Sequence, residues 1–94
     1  MPYIKTENRA KFEIILKWFL IRPELNNLSS GEINYLITKI IDRQLGFNPK
    51  YEDYNRMIGI LEAVKLEFYR RQVAEYENKK KKENGDVYEK KFFE

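Results

Sequence analysis

The sequence predicts an all-α chain: three helices, with a third longer than a domain of this size can enclose, so that copies assemble into an oligomeric helical bundle. Three observations predict it. Apolar residues recur at spacings of three and four in each segment. Pro23, Gly46 and Asn48-Pro49 punctuate those segments with helix stop and start chemistry. The pattern after Pro49 then runs without a strong breaker to Lys82.

The first helix is expected to begin after Thr6, whose hydroxyl can accept from orphan amides of the first turn, and to end at Arg22 before Pro23. Phe12, Ile15, Leu16, Phe19 and Leu20 share one face, while Ile14, Trp18 and Ile21 lie largely on others. A short helix that is apolar on more than one side needs cover on more than one side.

The second helix follows Ser29-Ser30-Gly31-Glu32, a capping box in which Ser29 and Glu32 satisfy each other's amides. It carries Ile33, Leu36, Ile37, Ile40, Ile41 and Leu45 at helical spacing. Gly46 then supplies a left-handed stop.

For the third helix, Asn48 serves as cap and Pro49 as first helical residue. Gly59 inside it costs about 1 kcal/mol relative to alanine, and suggests a close helix approach. Tyr54, Met57, Leu61, Val64 and Phe68 form a seam, the expected subunit interface, which fails afterwards because Arg71 and Glu75 take its next places. A helix of about 34 residues at roughly 1.5 Å each is about 50 Å long. A compact domain of this chain length has a radius of gyration near 12 Å. The helix therefore protrudes, and its outer residues Tyr69, Val73 and Tyr76 need a partner, most simply a second copy. Asn84-Gly85-Asp86 ends the helix as a turn, with Val87-Tyr88 folding back onto it. One helical domain is expected over residues 1–88, with a flexible tail at 89–94.

Composition excludes much chemistry. The 94 residues include no cysteine and no histidine, which removes disulfides, thiolate nucleophiles, imidazole ligands and the usual general base. None of Thr6, Ser29, Ser30 and Thr38 sits in a nucleophile-elbow glycine setting. The net charge of +3 is mild for a nucleic-acid binder. The start lacks the apolar stretch of a signal peptide, and the run Phe12 to Ile21, broken by Glu13 and Lys17, is far short of a bilayer span. A cytoplasmic protein is expected, in host cytoplasm if the source is viral, with no membrane partner.

Candidate chemistry gathers on the third helix. Glu62, Lys65, Tyr69, Gln72 and Tyr76 step by three and four along a polar stripe beside the seam. Lys65, Arg70 and Arg71 are candidate donors to a phosphate, and Tyr69 or Tyr76 a stacking surface for a base. The same residues also suit a solvated face laced with ion pairs, Glu67 reaching Arg70 or Arg71. A magnesium site needs converging carboxylates, but Glu62 and Glu67 lie about 140° apart around the helix, so no metal site, no cofactor and no catalytic residue is assigned. Lys79 to Lys82 can grip phosphates by counterion release, or simply complement the negative end of the helix dipole.

These residues also carry a resemblance. Met1-Pro2-Tyr3-Ile4 with Arg9, Gly31 to Tyr35, Asn55 to Gly59, Leu61-Glu62, Lys65 to Glu67, Tyr69 to Arg71, Tyr76-Glu77 and Glu83 to Tyr88 resemble a family of small uncharacterised proteins of bacteria, archaea and their viruses. The chain departs from that pattern at Gln72, at Ala74-Glu75 where the family has an Ala-Pro pair, and in its extension Glu89 to Glu94. The resemblance implies a phage or mobile-element setting and no particular activity. It also draws attention to Lys65 to Arg71 and to the turn Asn84, Gly85, Asp86. The expected function is a non-enzymatic oligomeric binding or assembly module, with an anionic, nucleotide-like ligand at the helix-3 site. The alternatives are a metal-dependent nucleotide hydrolase of all-α type and a viral DNA-associated protein.

Overall fold

Pro23 and Gly46 divide the chain where their chemistry requires. Arg22, restricted by the proline that follows it, is extended at ψ 106°, and Gly46 takes φ 67°, which a side chain would resist. In the computed structural model, which describes residues 1–89, the elements between these marks are all helical. They are α1 (Glu13–Leu20), α2 (Ser30–Leu45), α3 (Tyr51–Phe68), a π-helical turn (Tyr69–Val73) and α4 (Ala74–Asn84), with 3-10 turns at Thr6–Asn8, Ala10–Phe12 and Pro23–Leu25. Three rods result, two of them long, because α3, the π turn and α4 run on without a break from residue 51 to 84. The expected tail falls, from residue 90 onward, outside the described residues.

Two starts differ from the sequence expectation. The first α-helix begins at Glu13, not after Thr6, and no side chain caps the 3-10 turn at Thr6–Asn8. The polar run ahead of Phe12 has no apolar face to hold regular turns, so it folds as two short 3-10 pieces. The third rod starts at Tyr51 instead of Pro49: Asn48 adopts φ 57° and Lys50 becomes the cap residue. The Asp53 carboxylate accepts from the Lys50 amide at 2.9 Å, which settles an orphan donor that Asn48 was expected to settle. By contrast, the capping box on α2 forms as its spacing predicts. Glu32 N donates to Ser29 Oγ at 3.1 Å, and Ser29 N donates to Glu32 Oε1 at 2.8 Å.

Packing between the rods is slight. α2 lies against α3, whereas α1 packs against neither long rod. Phe19 of α1 stands across a cleft of about 380 Å³ from Leu36 and Ile40 of α2. Among the described residues Met57 alone is buried, at 6% exposure. On α1, Ile14 is 83% exposed and Leu20 77%, whereas Phe19 and, just ahead of the helix, Phe12 are partly covered. Gly59 does not mark a close approach, since a Cβ built there meets nothing within 4 Å.

The dimensions follow. The radius of gyration is 18.6 Å and the extents are 53 × 38 × 32 Å, the long rod spanning the longest of them. A compact chain of 11.5 kDa exposes about 5,800 Å²; this one exposes 9573 Å². Among the described residues no helix is long and apolar enough to cross a membrane.

Candidate functional site

The chain's own terminus builds the most elaborate polar cluster. Near residue 3 the polypeptide passes beside the middle of the long rod, and Tyr3 Oη donates to Glu67 Oε2 at 2.6 Å. Arg70, three residues after Glu67 and so on the same face, closes on that carboxylate with Nη2 at 2.7 and 2.9 Å and Nε at 3.1 Å. Arg71 Nη1 in turn donates to Tyr3 Oη at 3.3 Å. The guanidinium of Arg70, then the phenol of Tyr3, hold the Glu67 carboxyl at about 2, well below its ordinary value. Glu67 correspondingly raises Arg70. Arg9 Nε donates to the Ile4 carbonyl at 2.8 Å, steadying the segment that presents Tyr3.

Beside this cluster lies a cleft of about 390 Å³, with Pro2 and Tyr3 on one wall and Val64, Phe68, Arg71 and Gln72 on the other. Lys65 does not join it: its ammonium pairs with Glu62 at 3.2 Å on an exposed face. Of the three basic side chains expected to meet an anion, two are therefore occupied by carboxylates one turn away. Arg71 has the Tyr3 hydroxyl as its partner.

The π turn alters which residues share a face. A π turn absorbs about one residue more than α-helical turns do, so beyond it each position sits as if it came one place earlier. Of the stripe read as Glu62, Lys65, Tyr69, Gln72 and Tyr76, the members ahead of the π turn keep their alignment and Tyr76 rotates out of it, while the Tyr69 hydroxyl donates to the Glu77 carboxylate. That bond raises the Tyr69 phenol above its ordinary value. Eight residues apart in sequence, the two behave as a pair seven apart, which is two turns and nearly the same face. The same correction carries the apolar seam onward. Val73 and Tyr76, about 140° and about 80° from Phe68 in an unbroken α-helix, come into line with Tyr54, Leu61, Val64 and Phe68. Met57 of that seam is covered by its own chain, while Tyr54, Leu61, Val64, Phe68 and Tyr76 are exposed.

The distal turn forms: Gly85 takes φ 89° and Tyr88 N donates to Asp86 Oδ1 at 3.0 Å. Together with Glu77, Lys80 and Asn84 it lines a cleft of about 330 Å³. Val87 and Tyr88 remain exposed instead of packing onto the helix. Lys80 pairs with Glu83 at 3.4 Å and stands 5.7 Å over the Tyr76 ring. A further cleft, about 480 Å³, lies at the start of α2 beside Leu25, Leu28 and Tyr35. One of its carboxylates, Glu32, is already committed to the capping box. Among the described residues no three carboxylates gather as metal ligands would.

A family model matches residues 1–87, nearly the whole chain. The chain belongs to the DUF6899 family, a domain of unknown function. No curated protein and no solved structure matches it significantly. The family match covers the Tyr3–Glu67 cluster, the π turn and the Asn84 to Asp86 turn alike.

Proposed function

We propose that this DUF6899 chain is a non-enzymatic assembly module, of the viral or mobile-element type that its resemblance implies, whose folded state is completed by further copies. The single observation behind this reading is a core of one residue, Met57, among the described residues, in a chain whose helices are rich in Ile, Leu, Phe, Trp and Tyr. Complete burial of one such side chain contributes about 1.5–3 kcal/mol, while each residue ordered costs about 1–2 kcal/mol of backbone entropy. A lone copy thus lacks the burial to hold three rods, and neighbours of the same chain carry the matching apolar faces. Light scattering coupled to size exclusion tests this. A mass of two or more chains at micromolar concentration is expected, and a cooperatively folded single chain overturns the reading.

A second reading rests on Arg71. It faces the cleft beside Tyr3, with no carboxylate partner among the described residues, and an anionic, nucleotide-like ligand there would gain a charged donor and the Gln72 amide. A thermal-shift series with nucleotides tests it: binding at 100-fold the dissociation constant adds about 2.7 kcal/mol, and the shift should vanish in Arg71→Ala.

A further inference from the structure

Resting on the assembly reading, we propose that a second copy lays its own long rod antiparallel along the seam of Tyr54, Leu61, Val64, Phe68, Val73 and Tyr76. Three features point to this occupant. The first is area. The chain exposes roughly 3,800 Å² more than a compact one of its mass, and an obligate interface removes about 2,000–5,000 Å² across both its faces. The excess is large enough to supply such an interface.

The second is continuity. With the π turn, the exposed seam residues line up on one face from residue 54 to 76, interrupted at Met57, which its own chain covers; without it, Val73 and Tyr76 rotate away. Pro2 and Tyr3 wall one side of this stripe, forming the cleft of about 390 Å³.

The third is charge. Residues 51–68 carry four carboxylates and two cations, while residues 69–84 carry six cations and three carboxylates. Two copies in parallel would set like halves together. In antiparallel array each acidic half meets a basic half, and the two helix dipoles oppose. The two-fold axis then passes near Lys65, and Tyr54 of one copy faces Tyr76 of the other.

Because the chain has no cysteine, single substitutions give an unambiguous test. Tyr54 and Tyr76 are both exposed, so Tyr54→Cys and Tyr76→Cys should keep the helical circular dichroism of the parent. An equimolar mixture of the two, mildly oxidised, is expected to yield the mixed 54–76 disulfide as the main product, with a doubled chain mass on a non-reducing gel. Each variant alone should remain mostly uncrosslinked, since its two thiols lie at opposite ends and a disulfide needs Cα atoms within about 7 Å. A Tyr54→Cys homodimer as main product would mean parallel rods and overturn the proposal. An oligomer by light scattering that forms neither disulfide also overturns it, while leaving the assembly reading standing. A single chain by light scattering removes both.

Discussion

The Tyr69 hydroxyl donates to the Glu77 carboxylate eight residues further along the same rod, a pairing that an α-helix does not permit. It is the plainest mark of the extra residue held in the π turn, and it has a spectroscopic consequence. The bond lifts Tyr69 above its ordinary value of 10.0. In an ultraviolet titration one tyrosine should ionise later than the rest, and Glu77→Gln should abolish the delay. The sign for stability follows: this contribution is fully present below pH 10 and is lost as pH rises through the raised value.

Deletion of Gln72 should be tolerated. Removing one residue from the π turn leaves an unbroken α-helix in which Val73 lies four places after Phe68, so the seam keeps its alignment. Deleting Ala63, in the α-helical part, rotates everything beyond it by about 100° and splits the seam. Oligomer mass by light scattering should be preserved in the first and reduced in the second.

The Tyr3 latch should respond to acid. With Glu67 held at about 2 against an ordinary 4.5, its contribution is present above pH 4.5 and is lost as pH falls toward 2. Tyr3 and Arg70 resonances followed by NMR should shift together across that window. Tyr3→Phe should free the N-terminal segment while leaving the Arg70 contact to Glu67 in place.

Gly59→Ala should stabilise. The added Cβ meets nothing within 4 Å, and alanine in a helix interior gains about 0.5–1 kcal/mol over glycine. Urea unfolding at fixed protein concentration measures it; a loss of stability would mean that Gly59 touches a neighbouring copy.

Ser29→Ala should cost about 1 kcal/mol. It leaves the Glu32 amide without the side-chain acceptor it has now, at 3.1 Å. The same urea series gives the value, and Ser29→Asp should restore most of it.

Much of the fold was legible in the chain because it is written in local chemistry. Ser29 and Glu32 carry their capping box at fixed spacing, and Pro23 and Gly46 follow the ends of α1 and α2. The third helix was read to within two residues at each end. What local chemistry does not encode is the π turn: Tyr69 to Val73 has no breaker, and only the failed seam after Phe68 hinted that a residue had to be absorbed there. The Tyr3 contact to Glu67 joins residues 64 apart, and spacing along a helix says nothing of it. Lys65, Arg70 and Arg71 were read as one cationic group, but their partners Glu62, Glu67 and Tyr3 disperse them.

One buried methionine also sets how the backbone behaves toward solvent. Amide hydrogens resist deuterium only where opening a segment means tearing apart packed surroundings, and around Met57 a solitary copy has little to tear. Under the assembly proposed above, slow exchange along 51–84 would gauge the cover lent by further copies, residue by residue, and should fade on dilution.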